Sequence, residues 1–160
     1  MDWLDHALRE NPFIFGAIIC VVTFVFRRFF SRSKPVSTAT SLVGGVGFCM
    51  LAAFWAMRFW PPTLVQSKIL FGIILACFLL GLMLSRLDSI TFDTASHEFV
   101  IEQSVLRSAL TALFAGVSVA LLTLFWDEVW GGHLALAAWC AWMAGGALGE
   151  WRRLVRAEGA

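Results

Sequence analysis

The chain has 160 residues, of which 59% are hydrophobic and only 14% are charged, and its mean hydropathy is +0.79. An average soluble domain is about 25% charged, so this composition excludes an ordinary soluble protein and predicts an integral membrane protein. The formal net charge is only +1, which excludes a strong overall field that would attract nucleic acid.

Five apolar runs predict one all-α transmembrane domain that covers residues 1–160. A membrane-spanning helix needs about 20 mainly apolar residues, and the second and fourth runs have that length. The first run spans the membrane only if the side chains of Arg27 and Arg28 extend to the interface. We therefore expect a bundle of about five membrane-spanning helices, over residues 12–30, 39–60, 68–84, 105–126 and 132–150.

The most basic segment, RRFFSRSKPVST at residues 27–38, separates the first two runs. Lys and Arg concentrate in cytoplasmic loops, so the segment predicts an inner loop. If the first helix starts outside, nine of the 12 Lys and Arg residues lie inside, and the N-terminus lies outside with the C-terminus in the cytoplasm. Pro35 biases Lys34 towards an extended conformation, and Ser37 or Thr38 is placed to cap the second helix.

Small residues recur at every fourth position in three of the runs, which is typical of close helix packing in membranes. The predicted packing faces include Gly45, Cys49, Ala112, Gly116, Ala141, Gly145 and Gly149. Packing inside the bundle is one interpretation of these faces. The other is a contact with a second copy of the chain or with a membrane-protein partner.

Reactive groups are few within the apolar runs. Four cysteines, namely Cys20, Cys49, Cys77 and Cys140, lie near the middle of four different runs and show no C-x-x-C spacing. Thiols in apolar surroundings behave as small hydrophobic groups, although a redox role is the alternative. His6, His97 and His133 lie far apart in the predicted topology, so the sequence predicts no metal site, no cofactor and no catalytic residue.

A polar segment at residues 85–104 separates the third and fourth runs. Ile90 and Phe92 alternate with Thr91 and Asp93 before the end of the turn-forming sequence DTASHE, and Phe99 and Ile101 alternate with Val100 and Glu102 after it. This pattern predicts a short cytoplasmic β-hairpin. Two strands alone are marginally stable in water, so we expect the hairpin to rest on the bundle or on lipid headgroups.

The two polar inner segments together form a candidate interaction loop, which consists of Arg32, Lys34, Pro35, Ser37, Asp93, His97 and Glu98. Its last three residues have two interpretations. They are either ordinary turn residues or a carboxylate–imidazole cluster with a chemical role.

The motifs RRFFSRSKPVSTAT, ITFDTASHEFVIEQS and the closing EWRRLVRA together resemble the CcdC-like family of small bacterial integral membrane proteins. The matching positions in the first loop are Arg32, Lys34, Pro35, Val36 and Ser37. The resemblance implies a bacterial cytoplasmic membrane and an accessory role linked to cytochrome c maturation. It supplies no catalytic or cofactor-binding residue.

Two classes of function stay open at this point. The first is a non-enzymatic membrane accessory or assembly protein, which contacts the lipid bilayer, a second copy of itself or a membrane-protein partner, and no nucleic acid. The second is a membrane transporter or enzyme that handles a small molecule or a lipid, or a thiol-redox membrane protein. It would work through the cysteines or through Asp93, His97 and Glu98.

Overall fold

The computed structural model describes residues 10–30, 33–58, 63–94, 98–124 and 129–159. The described residues form five α-helices and three strands, in the order α1 (Pro12–Val25), β1 (Ser33–Val36), α2 (Thr38–Arg58), α3 (Leu64–Leu84), β2 (Ser89–Asp93), β3 (Glu98–Glu102), α4 (Val105–Leu124) and α5 (Val129–Glu158). A π-helical turn, Phe26–Phe30, continues α1, and a 3₁₀ turn, Ser85–Leu87, follows α3. The predicted helical bundle with five helices is confirmed.

Four of the five helices are long and apolar enough to cross a membrane, whereas the sequence predicted five spans. The four candidate spans are Pro12–Phe29, Thr38–Arg58, Leu64–Leu87 and Val105–Leu124. Helix α5 is not among them, because Ala, Gly and Trp largely replace Leu, Ile and Val along it. The structure gives the reason for this composition: α5 packs against α2, α3 and α4, so much of its surface faces other helices and needs small side chains.

Several helix boundaries differ from the predicted ones, among them the start of α3 and the end of α5. Helix α3 begins at Leu64, four residues before the predicted run, because Thr63 Oγ1 accepts a hydrogen bond from the Gln66 N–H at 3.3 Å and caps the helix. Helix α5 continues past Glu150 to Glu158 as a more polar extension. An apolar run predicts only the apolar part of a helix. The polar residues that continue the same helix give no such pattern, so its full length is not predicted.

The bundle consists of two groups of helices. Helix α1 packs mainly against α4, whereas α2 and α3 pack mainly against α5, and contacts between α4 and α5 join the groups. Glycines allow these close approaches: a Cβ added at Gly16 would lie 2.7 Å from the Gly116 carbonyl oxygen, and one added at Gly45 would lie 2.6 Å from Leu148 Cγ. The helix backbones therefore touch where the small residues lie.

The remaining residues of the predicted packing faces also lie against neighbouring helices. A Cβ added at Gly145 would collide with the Phe78 carbonyl oxygen of α3, and one added at Gly149 would collide with the Ser85 hydroxyl. Ala112 and Ala141 are buried, and Cys49 is half-buried. These contacts are all made within one chain.

The strands form a three-stranded antiparallel sheet in the order β1-β3-β2, which corrects the predicted two-stranded hairpin. Strand β2 pairs with β3 as predicted, with Ile90 opposite Ile101, and β1 adds the third strand, with Pro35 opposite Val100. Strand β1 was missed because it has only four residues and contains a proline, which lacks an N–H and is tolerated at a sheet edge. Ile101 is only 3% exposed, so the sheet rests on the bundle.

The basic loop enters α2 as predicted. Lys34 lies in the extended strand β1, and Ser37 Oγ accepts a hydrogen bond from the Thr40 N–H at 3.1 Å. This bond satisfies one of the free N–H groups at the start of a helix. The predicted serine cap is therefore confirmed.

Candidate functional site

A cluster of buried charges lies at the end of the bundle that carries the sheet, which we call the sheet end. Asp88 follows the 3₁₀ turn after α3 and has a side chain that is 0% exposed, and the Arg107 side chain in the first turn of α4 is 8% exposed. Arg107 Nη1 donates to Asp88 Oδ2 and lies 2.6 Å from Glu150 Oε1 of α5. Buried charges are costly unless they are paired, so this ion cluster binds three parts of the chain together.

Asp88 also fixes the start of α4. Its second oxygen, Oδ1, accepts a hydrogen bond from the Ser104 N–H at 2.9 Å. The Ser104 hydroxyl in turn accepts one from the Arg107 N–H at 3.1 Å, which caps α4. Asp88 therefore uses one carboxylate oxygen to pair with Arg107 and the other to hold the residue before α4 in place.

A second arginine joins α5 to the end of α3. Arg153 Nη1 donates to the Ser85 carbonyl oxygen at 2.5 Å, and the Ser85 hydroxyl donates to the Leu82 carbonyl oxygen at 2.7 Å. Ser85 is only 1% exposed. The carbonyl oxygens of Leu82 and Ser85 at the end of α3 thus accept hydrogen bonds inside the protein, as buried backbone groups require.

Arg27 lies in the π-helical turn after α1 and approaches the same cluster. Its Nε donates to Gln103 Oε1 at 3.1 Å. Across the part of the chain that the structure describes, the two terminal nitrogens of Arg27 make no hydrogen bond and lie within 4 Å of no carboxylate. Among the described residues, Arg27 is therefore a half-buried cation without a close counterion.

These groups line a cavity of about 320 Å³ at the sheet end, between the two groups of helices. The polar part of its wall comprises Arg27, Gln103, Arg107, Thr111 and Glu150. The apolar part includes Phe26, Phe48, Trp139, Trp142 and Met143. The cavity thus has a charged region and an aromatic region, and residues of all five helices, β1 and β3 line it.

Thr111 lies one helical turn beyond Arg107 on α4 and lines the same cavity. Its side chain is buried, the residue being 1% exposed, and its Oγ1 has no hydrogen-bond partner among the described residues. Leaving a buried polar group unpaired costs about 1–3 kcal/mol. A molecule in the cavity with a hydrogen-bonding group near Thr111 would remove that cost.

Four described residues of the candidate interaction loop are exposed and do not line this cavity: Pro35, Ser37, Asp93 and Glu98. Pro35, Ser37 and Glu98 surround a separate shallow pocket of about 420 Å³ together with Thr40, Phe99 and Glu158. Asp93 lies opposite Glu98 at the end of the β2–β3 hairpin. Arg32 and His97 lie outside the described residues, so the carboxylate–imidazole interpretation stays a hypothesis.

The cysteines and histidines form no metal cluster among the residues that the structure describes: no three His, Cys, Asp or Glu side chains there are close enough to hold an ion. All four cysteines are free thiols. Cys77 and Cys140 are buried, and Cys20 and Cys49 are half-buried.

Sequence reasoning did not single out the residues of the cavity. Arg27 was considered as a charge that sets orientation and as a side chain that extends to the interface, Arg107 as one of the inner charges, and Glu150 as the end of a span. One signal was available: Asp88, Arg107 and Glu150 all fall at the same predicted end of the bundle, where opposite charges near hydrocarbon are expected to pair. The pairing itself is a tertiary contact.

Comparison with known proteins found no relative of this chain. No protein-family model matches the chain, and no curated protein and no solved structure matches it either.

Proposed function

We propose that this protein is a non-enzymatic membrane accessory protein that binds an amphipathic ligand in the cavity at the sheet end. The observation that carries the proposal is the composition of that cavity, in which an aromatic wall meets two arginines and the Thr111 hydroxyl, which has no hydrogen-bond partner among the described residues. Ligand sites are typically mostly apolar clefts of about 300–1,000 Å³ with a few placed polar groups. At about 320 Å³, the cavity is large enough for one small molecule or one lipid headgroup with part of its chain.

The proposal includes a location in a bacterial cytoplasmic membrane, with all five helices crossing it. Helix α5 has 30 residues, which is a length of about 45 Å and more than a bilayer core requires. Its lower hydropathy is compatible with crossing, because its neighbours α2, α3 and α4 shield much of it from lipid. The sheet end is then cytoplasmic, and the charged region of the cavity lies at the depth of the headgroups.

The proposed orientation predicts where fused reporters become active. Green fluorescent protein fused at Ala160 should fluoresce, because this end of the chain is expected in the cytoplasm. Alkaline phosphatase inserted between α4 and α5 should be active, because this position is expected outside. The physical reason is the excess of Lys and Arg on one side, where nine of 12 lie. Paired alkaline phosphatase and green fluorescent protein fusions at both positions measure this. Phosphatase activity from the Ala160 fusion would overturn the orientation and the crossing of all five helices.

A side chain that fills the cavity should displace the ligand. Ala147 is half-buried and lines the cavity, so we expect Ala147→Phe to exclude the bound molecule. The matched control is Ala76→Phe on the exposed surface of α3, which adds the same ring outside the cavity. Native mass spectrometry of protein purified in mild detergent should detect a retained molecule at about one per chain in the parent and in Ala76→Phe. Its occupancy should fall about tenfold in Ala147→Phe.

Equal occupancy in the parent and in Ala147→Phe would show that the cavity is not the binding site. The same measurement reports assembly, because the proposed accessory role includes contact with a second copy of the chain or with a membrane-protein partner. A stoichiometric protein partner without any retained small molecule would contradict ligand binding and leave an assembly role in its place.

A further inference from the structure

We propose that the ligand of this cavity is an amphiphile with an oxyanion headgroup, such as a carboxylate or a phosphate, which binds between Arg27 and Arg107. This inference rests on the proposed function and specifies its ligand class. Four observations on the described residues support it: the unpaired charge of Arg27, the arrangement around Arg107, the orphan hydroxyl of Thr111 and the aromatic wall.

Arg27 supplies a cation that is already oriented. Its Nε bond to Gln103 fixes the guanidinium plane, and its terminal N–H groups make no hydrogen bond within the described chain. A planar guanidinium binds carboxylate or phosphate through two parallel hydrogen bonds. An oxyanion would therefore provide the close counterion that Arg27 lacks.

Arg107 contributes the second cation. Asp88 and Glu150 both contact its Nη1, and the described residues provide no hydrogen bond to Nη2. A Cβ added at Gly146 would lie 2.7 Å from Nη2, so this glycine provides space for the guanidinium in the cavity wall. Both guanidinium groups line the same cavity, so an oxyanion between them would also reduce their mutual repulsion.

Thr111 places a hydroxyl donor beside these cations. The group is buried in the wall and has no partner in the described part of the chain, whereas an oxyanion accepts hydrogen bonds from hydroxyls as well as from guanidinium groups. Removal of an unsatisfied hydroxyl should not lower the stability of the protein without ligand. A substitution of Thr111 therefore distinguishes a role in ligand binding from a role in stability.

The aromatic wall accounts for the apolar part of the ligand. Trp142 and Trp139 lie two and three turns before Glu150 on α5, and Phe48 lies in the middle part of α2. A headgroup at the arginines places an attached chain along these rings, towards the centre of the bundle. The cavity thus matches an anionic headgroup that is joined to a hydrocarbon chain.

The test uses the full-length protein in dodecyl maltoside, a neutral detergent, with dodecyl phosphate and dodecanoate as probes. Both should bind and raise the melting temperature, whereas dodecyltrimethylammonium should not. Arg27→Gln should weaken binding about tenfold or more, because charge-assisted hydrogen bonds are lost. The control Arg28→Gln removes the same charge from the next residue and should leave the affinity unchanged. Thr111→Val should weaken binding while the melting temperature without probe stays equal or rises.

Three results would overturn the inference. If inorganic phosphate alone binds as tightly as dodecyl phosphate, the ligand is not an amphiphile. If neutral monolaurin binds, and binding is lost in Ala147→Phe but not in Arg27→Gln, the proposed function stands and the oxyanion headgroup is wrong. If no probe binds and no retained molecule depends on Ala147, the proposed function fails together with this inference.

Discussion

Arg107→Ala is expected to destabilise the protein by about 3–5 kcal/mol, because it leaves the fully buried carboxylate of Asp88 without a cation. The substitution also removes the contact with Glu150, so it loosens the junction between α3, α4 and α5. Unfolding with dodecyl sulfate in mixed micelles, followed by tryptophan fluorescence, measures the free energy of unfolding. The effect should be among the largest of any single substitution in the chain.

The matched control for this prediction is Arg86→Ala. Arg86 lies in the neighbouring 3₁₀ turn and is exposed, so its removal should change stability by less than about 0.5 kcal/mol. Adding Asp88→Asn to Arg107→Ala should recover part of the loss, because the double variant no longer buries the Asp88 charge. If Arg107→Ala costs no more than Arg86→Ala, the ion cluster does not hold the sheet end together.

Gly145→Ile is expected to lower thermal stability strongly, by about 1–3 kcal/mol or more. A Cβ at this position collides with the Phe78 carbonyl oxygen and would lie 2.9 Å from the Leu82 backbone nitrogen. Both contacts are backbone atoms of α3, so the clash is relieved only if α3 and α5 separate. Thermal unfolding in detergent measures the loss.

Gly44→Ile is the matched control for the glycine prediction. It makes the same substitution inside α2, where an added Cβ meets nothing within 4 Å. Isoleucine also has a better helix propensity than glycine, so this variant should be as stable as the parent or slightly more stable. Equal losses of stability at Gly145 and Gly44 would contradict the assigned contact between α3 and α5.

Local signals in the sequence were sufficient for the helices, for β2 and β3, and for the cap at Ser37. These features depend on apolar runs, on alternation over a few residues, or on one side chain next to a helix start. Each concerns residues that are close together in the chain. The predictions for α1, α2 and α4 accordingly agree with the structure near their starts, which are Pro12, Thr38 and Val105.

The ion cluster and its cavity could not be predicted in the same way. The bond between Arg27 and Gln103 joins residues that are 76 positions apart, and Asp88 and Arg107 are 19 positions apart. No periodicity connects such residues, because their distance depends on how whole helices pack. The orphan hydroxyl of Thr111 gives no signal in the sequence either, since a threonine on a helix usually bonds locally.

The sequence by itself determined long helices that are apolar enough to cross a membrane, a basic loop and a polar hairpin, because hydropathy and charge depend on composition along the chain. Tertiary structure decided that α5 lies against three other helices, that β1 completes a sheet and that Arg27 and Arg107 line one cavity. These outcomes depend on which small-residue helix faces pack together and which strand edges pair. Such pairing is a property of the folded chain, because close packing brings together groups that no local pattern relates.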